Sequence, residues 1–393
     1  MKIRNSLLIL SILLALVCSI SAKSQTLSPE AQISLLTCSP GEDLYALFGH
    51  TALRVKDKKK GIDYVFNYGT FDFRTPNFYM KFARGKLNYM LSATNFLNFK
   101  QNYIEENRSI IEQKLHLSAQ QKQQIFRALL INYKPQNRYY HYDFLFDNCS
   151  TRVRDIVEDN ARKVTFIPPP STSSNTFWNL LDPFMMQSRW IFLGIHLALG
   201  LPCDETASPY QNMFLPDHLM TGFAHAQISI NNNTTPLVES THIIYKANSI
   251  ISPTPYLLRP ITLFSIMALI FLASTLWMIR KKRYIFWPDT ILFSLVGIVG
   301  WVVFFLWFLT DHQATGPNLN ILWAFPLHLP LALWLQYKKR PLWVGRYFRI
   351  HAWLLISVIA LWPLIPQSLP LAVLPLVATL ALRCLFIAKY FNR

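Results

Sequence analysis

Charge is scarce in this chain. Only 15% of its 393 residues are Asp, Glu, Lys or Arg, against roughly 25% in an ordinary soluble domain. With 52% of residues hydrophobic, this argues against a purely soluble protein, and the apolar content excludes disorder. Glycine is sparse, 12 in all, and neither a P-loop nor a dinucleotide-binding glycine motif is present. Five cysteines are too few for a disulfide-dense mini-protein or a multi-cysteine zinc module. His-Glu-x-x-His is missing and the histidines lack clustered ligand spacing, so neither metal nor cofactor is expected. Gly-x-Ser-x-Gly is also missing, which leaves a serine-hydrolase elbow without support.

Acidic residues are few, 21 against 38 basic, for a net charge of +17. Placement decides what that excess means. From Leu257 onward there are 13 basic residues and only two acidic ones. Most of the excess thus lies in a hydrophobic tail, which is a membrane-orientation signal and not a nucleic-acid footprint. Five apolar runs follow one another there: Leu257–Ile279, Ile285–Leu309, Leu319–Tyr337, Ile350–Ile365 and Leu369–Ala388. Most approach the roughly 20 residues that cross a bilayer. Basic loops (Arg280-Lys281-Lys282-Arg283; Lys338-Lys339-Arg340 with Arg346 and Arg349; Lys389 with Arg393) alternate with Thr310–Asn318 and Pro366-Gln367-Ser368, which carry no Lys or Arg. Five spanning helices are expected, with residues 23–256 outside the cytoplasm. Trp287, Trp323 and Tyr337 suit interfacial belts, and His328 and His351 are ionisable at membrane depth.

The N-terminus agrees with that topology. Met1-Lys2-Ile3-Arg4, the apolar run Leu7–Ile20 and Ser21-Ala22 read as a signal peptide over residues 1–22. Cys18 suggests lipidation, but the bulky Val17 before it favours a plain apolar-region cysteine. The expected organisation is a signal peptide (1–22), an extracytoplasmic domain (23–256) and a five-helix membrane domain (257–393).

Within residues 23–256 the pattern is α+β. Thr51, Leu53 and Val55 alternate with polar or small neighbours, and with Tyr64–Tyr68 they predict a hairpin across a charged loop, Lys56–Gly61. Arg108–Leu117 alternates again. Ser118 and Gln121 form a capping box that opens a helix to about Tyr133. Tyr139–Phe146 reads as a strand, and a helix is expected to start near Cys149. Residues 171–256 give no firm pattern.

Cys149 therefore stands where a strand meets a helix, and helix N-terminal amides favour a thiolate there. A nucleophilic cysteine needs a base oriented by a third polar group. His50, in Phe48-Gly49-His50-Thr51-Ala52 at a strand start, is the candidate base. If the hairpin closes near residue 59 or 60 with odd-sum pairing, Asn67 lies diagonal to His50 on the same sheet face and can hold its imidazole. A one-residue slip would undo that. Spacing alone equally allows Cys149 to be half of a disulfide with Cys38 or Cys203.

Leu35-Leu36-Thr37-Cys38-Ser39-Pro40-Gly41, Phe48–Val55, Phe66-Asn67-Tyr68-Gly69-Thr70-Phe71-Asp72-Phe73, Pro76-Asn77-Phe78, Tyr142–Arg152 and Met213-Phe214-Leu215-Pro216-Asp217 resemble the Lnb N-terminal periplasmic domain family, from about residue 27 to 245. The resemblance implies a circularly permuted papain-like thiol fold, akin to NlpC-type and lecithin–retinol-acyltransferase-like enzymes, followed by membrane helices. It implies lipoprotein N-acylation. Cys149 would be the nucleophile and His50 the base; Asn67 as third member rests on the hairpin register alone. A phospholipid would be the acyl donor and a bacterial lipoprotein the acceptor, at the inner-membrane surface. Asp147, Asn148 and Arg152 flank the nucleophile. They are candidates for substrate contact, with a plain salt bridge as the alternative for the charged pair; backbone amides at the start of the Cys149 helix would hold the oxyanion, with Asn148 or a neighbouring side chain as an aid. Two other functions compete: a membrane-anchored cysteine peptidase or amidase acting on the cell wall, and a disulfide-stapled sensor or scaffold. The aromatics Phe66, Tyr68, Phe71, Phe73, Phe78, Tyr79 and Phe82 favour acyl chains over glycan, though a plain aromatic core accounts for them as well.

Overall fold

The computed structural model describes residues 26–168, 175–230, 233–248, 253–337 and 341–391. The expected signal peptide, Cys18 and the basic cluster 338–340 lie outside these residues. Seven strands, β1 (Gln32–Cys38), β2 (His50–Asp57), β3 (Ile62–Thr70), β4 (Asn88–Asn95), β5 (Ile110–Leu115), β6 (Tyr139–His141) and β7 (Val238–Tyr245), form one antiparallel sheet in the order β7-β5-β1-β2-β3-β4-β6. The helices that position the site are α1 (Phe78–Ala83), α2 (Phe96–Glu105), α3 (Ala119–Asn132) and α4 (Cys149–Ala161). They are followed by α5 (Phe177–Met185), α6 (Arg189–Ala198) and α7 (Pro216–His225).

The β2–β3 hairpin closes tightly. Asp57 accepts the Lys59 amide and Gly61 sits at φ +66°, so the turn occupies Lys58–Gly61 and not the longer loop expected. Leu53 pairs with Phe66, which is odd-sum register. Strand alternation then sorts the core. Leu53, Val55, Phe66 and Tyr68 join α3 and α4 (Ile125, Phe126, Val153, Val157) on one face. Ala52 and Val65 meet Phe96 and Phe99 of α2 on the other. The capping box at Ser118 and Gln121 is present and starts α3. Tyr139–Phe146 is a strand only as far as His141. Beyond it Asp143 accepts the Leu145 and Phe146 amides and turns the chain.

After residue 256 come α8 (Pro260–Lys281), α9 (Trp287–Phe308), α10 (His328–Trp334), α11 (Leu342–Ala360) and α12 (Leu374–Phe391). Among the described residues three helical stretches are long and apolar enough to cross a membrane: Pro260–Lys281, Trp287–Phe308 and Leu371–Phe391. The run expected as a third span is not one helix. Pro326, with no amide hydrogen, breaks it, and only the seven residues of α10 are helical beyond the turn Leu319–Leu322. The fourth helix begins at Leu342, eight residues before the apolar run beginning at Ile350 that marked it. Trp323 is buried and donates to Asn320 Oδ1 at 3.0 Å.

Two buried polar devices fix this part. Arg383 of α12 makes paired 2.6 Å bonds to Asp289 of α9 and donates to Thr275 of α8, so the two charges that leave water are matched and satisfied. The segment after α9 is bonded to α6, where Asn318 Nδ2 donates to Leu197 O and Asn320 Nδ2 to His196 O, both at 2.9 Å. The sheet domain is thereby seated on the helical domain.

Candidate active site

Two glycines shape the end of the sheet that carries His50 and Asn67. Gly49 has φ +82°, and a Cβ there would lie 2.7 Å from the Cys38 carbonyl oxygen. Glycine alone fits, and it fixes His50 as the first residue of β2, opposite Cys38. Gly69, at φ +81°, sits at an irregularity in the pairing of β3 with β4, which resumes at Thr70 and Met90. A Cβ there would be 3.5 Å from Cys149 Cβ and 3.4 Å from the Tyr142 ring. Both are ordinary contact distances, so it is the positive φ that calls for glycine here.

His50 Nε2 lies 3.3 Å from Asn67 Oδ1. The diagonal relation expected from odd-sum register is thus present. An acceptor at this distance suits an Nε2–H tautomer, which leaves Nδ1 as the basic nitrogen. Burial pushes the imidazole down to about 4, helped by the Arg108 guanidinium and opposed by Asn67. At neutral pH it is an uncharged base.

Cys149 is the first residue of α4 and is partly exposed. Its helix packs on the face opposite to the one that His50 and Asn67 share with Ala52 and Val65. The sulfur therefore meets the sheet at its end, over the backbone of β2. Burial raises the thiol, while the amides of Thr51, Ser150 and Cys149 itself and the Ser150 hydroxyl draw it back down. Thr51 directly follows His50, and its Oγ1 lies 3.1 Å from Ser150 Oγ, so the start of α4 is clamped to the start of β2.

Cys38, Cys149 and Cys203 are all unpaired, which overturns the disulfide reading and removes the staple from the scaffold alternative. Cys38 does not compete as a nucleophile. It is fully buried, and burial pushes its thiol up to about 12.

Of the flanking residues, Asn148 has a different position from the one expected. Its Oδ1 accepts the Ser150 and Thr151 amides, and its Nδ2 donates to Phe144 O and Phe214 O at 2.8 and 3.0 Å. It is 3% exposed, so the side chain is a helix cap with no free donor for substrate. Arg152 pairs in a fork with Asp147 and lies 4.1 Å over the Tyr140 ring; the salt-bridge alternative describes this pair. Sequence reasoning missed Arg108, Thr51, Gly69 and the Tyr142–Tyr89 stack, with centroids 4.4 Å apart. Glycine within a strand run was the one available signal. Among the described residues no group of three or more His, Cys, Asp or Glu is arranged to hold a metal.

Two family profiles match the chain: the Lnb N-terminal periplasmic domain over residues 21–176 and the Lnb transmembrane domain over residues 252–393. No curated protein and no solved structure matches it.

Proposed function

This chain belongs to the Lnb family, multi-pass membrane proteins with a periplasmic N-terminal domain, and from that premise we propose that it is a cysteine acyltransferase. It moves an acyl chain from a phospholipid to the α-amino group of a diacylglyceryl-cysteine lipoprotein at the inner membrane. The observation that carries the reading is the His50–Asn67 contact at the start of β2, whose next residue, Thr51, is bonded to Ser150, the neighbour of a partly exposed cysteine at a helix N-terminus. In this reading the signal peptide is 1–22, the thiol domain 23–256 has a permuted papain-like fold, and 257–393 crosses the membrane five times. The broken segment 319–337 then makes the third crossing.

His50 Nδ1 takes the thiol proton as Cys149 Sγ attacks the ester carbonyl. The Thr51 and Cys149 amides, aimed at the sulfur, face the oxyanion. The tetrahedral adduct collapses, the lysolipid alkoxide leaves with the proton from His50, and a thioester remains. The lipoprotein amine then attacks the thioester. His50 takes the amine proton and returns it to the departing thiolate, so the enzyme ends as it began. Asn67 acts through His50, as a positioning residue. The aromatic rings around Gly69 suit an acyl chain better than a glycan, which favours acyl transfer over a wall amidase.

The test is a trapped intermediate. Protein in phospholipid vesicles without lipoprotein is digested and the Cys149 peptide weighed. A hydroxylamine-labile acyl mass on wild type, lost in His50→Ala, is expected. An unmodified Cys149 peptide from wild type contradicts the proposal.

A further inference from the structure

Between β3 and β4 the chain leaves large side chains in the open. Phe73, Tyr79, Met80 and Phe82 are 60%, 79%, 59% and 42% exposed. Arg74, Lys81, Arg84 and Lys86 lie in the same stretch; Asp72, its single acid, is paired with Arg74, and Asp311 lies 3.8 Å from Lys86. An apolar group rimmed by cations is the make-up of a segment that rests on an anionic lipid surface.

Its position fits that surface. The Asp311 amide donates to Arg84 O at 2.9 Å, and His312 Nε2 donates to Phe82 O at 3.1 Å. A Cβ on Gly85 would be 3.1 Å from the His312 nitrogen. Asp311 lies three residues past the end of α9, a membrane-spanning helix. The patch is thus tied at the level where the chain leaves the bilayer on the side of the thiol domain. The exposed Tyr256, Leu257 and Leu258, just before α8, mark the same level.

The inner end of the patch reaches the candidate nucleophile through rings. Phe73 and Phe78 contact Phe71 at 5.1 and 5.6 Å, Phe71 contacts Tyr89 at 5.4 Å, and Tyr89 stacks on Tyr142. Tyr142 and Cys149 both border Gly69. We propose that residues 71–86 sit in the headgroup layer of the membrane that holds the chain's own helices, and form the port by which a phospholipid acyl ester passes along Phe71, Tyr89 and Tyr142 to Cys149. The port half rests on the acyltransferase reading; the membrane seat does not.

Two measurements on the full chain in phosphatidylethanolamine–phosphatidylglycerol vesicles test this. In a Cys149→Ser background, Tyr79→Cys is labelled with nitrobenzoxadiazole and vesicles are prepared with or without brominated acyl chains. Roughly twofold quenching is expected, with none for the same label at Lys59→Cys on the β2–β3 turn. Equal signals at the two positions overturn the seat, as they would if the patch bound a soluble protein segment. The double variant Tyr79→Ser/Phe82→Ser should form the Cys149 thioester from vesicle lipid roughly tenfold more slowly. It should react with water-soluble iodoacetamide at the wild-type rate, which shows that the site is folded. Thioester formation at the wild-type rate overturns the port. A quenched label with no thioester even on wild type overturns acyl transfer, and the port with it, and leaves only the seat.

Discussion

Alkylation of Cys149 across pH distinguishes two kinds of thiol site. In one, cysteine and histidine rest as a thiolate–imidazolium pair. In the other both are neutral and the proton moves only during attack. The structure supports the second. Burial raises the Cys149 thiol above the ordinary cysteine range, so at pH 7 it is held as the thiol. His50 is pushed down to about 4, so at pH 7 about one in a thousand is imidazolium. The iodoacetamide rate should therefore climb about tenfold per pH unit between 6 and 8, without an acid plateau. Acyl transfer to Cys149 needs only neutral His50, a form kept until the pH nears 4, so acylation should persist well below 6.5. Arg108→Gln removes a cation that holds the imidazole down, and should move the acid limb of acylation upward. An alkylation rate that is flat from about pH 5 upward would refute the neutral pair.

Three further outcomes follow. Asn67→Ala frees the imidazole and should lower the acylation rate about ten- to a hundredfold, short of the full general-base contribution lost with His50→Ala; equal rates for Asn67→Ala and wild type, read by mass spectrometry of the Cys149 peptide, would remove Asn67 from the site. Asn148→Ala uncaps α4 and strands the Phe144 and Phe214 carbonyls, a loss of about 2–4 kcal/mol; thermal melting in detergent should fall, and an unchanged midpoint would refute the capping role. Arg383→Met leaves Asp289 buried without its partner and should cost about 3–5 kcal/mol, largely recovered when Asp289→Leu is added; additive losses in the double variant, measured by the same melting, would show that the pair is not a unit.

The site was legible where local rules govern. Odd-sum pairing of β2 with β3 placed Asn67 beside His50, because the register of a short hairpin follows from its turn and its apolar alternation. Ser118 with Gln121 marked α3 for the same local reason. What tertiary contacts decide was not legible. Asn148 looks like any polar neighbour of a nucleophile until the carbonyls of Phe144 and of Phe214, 66 residues away, occupy its amide. Leu319–Tyr337 reads as a span by hydropathy, yet Asn318 and Asn320 are drawn to the carbonyls of α6 and Pro326 breaks the run. Within the aromatic set Phe66 and Tyr68 are core, while Tyr79 and Phe82 are open to the surface. No periodicity separates the two groups, because their difference arises from where α1 is tied to the segment after α9.

In the proposed reaction Cys149 carries the acyl chain to lipoproteins. This role is tested most directly in a bacterial strain without N-acylated lipoproteins, expressing either the wild-type chain or Cys149→Ser at matched levels, with lipoprotein N-termini read by mass spectrometry. N-acylated termini are expected with wild type and free α-amines with Cys149→Ser. Equal restoration by both chains, or free amines with both, would contradict it.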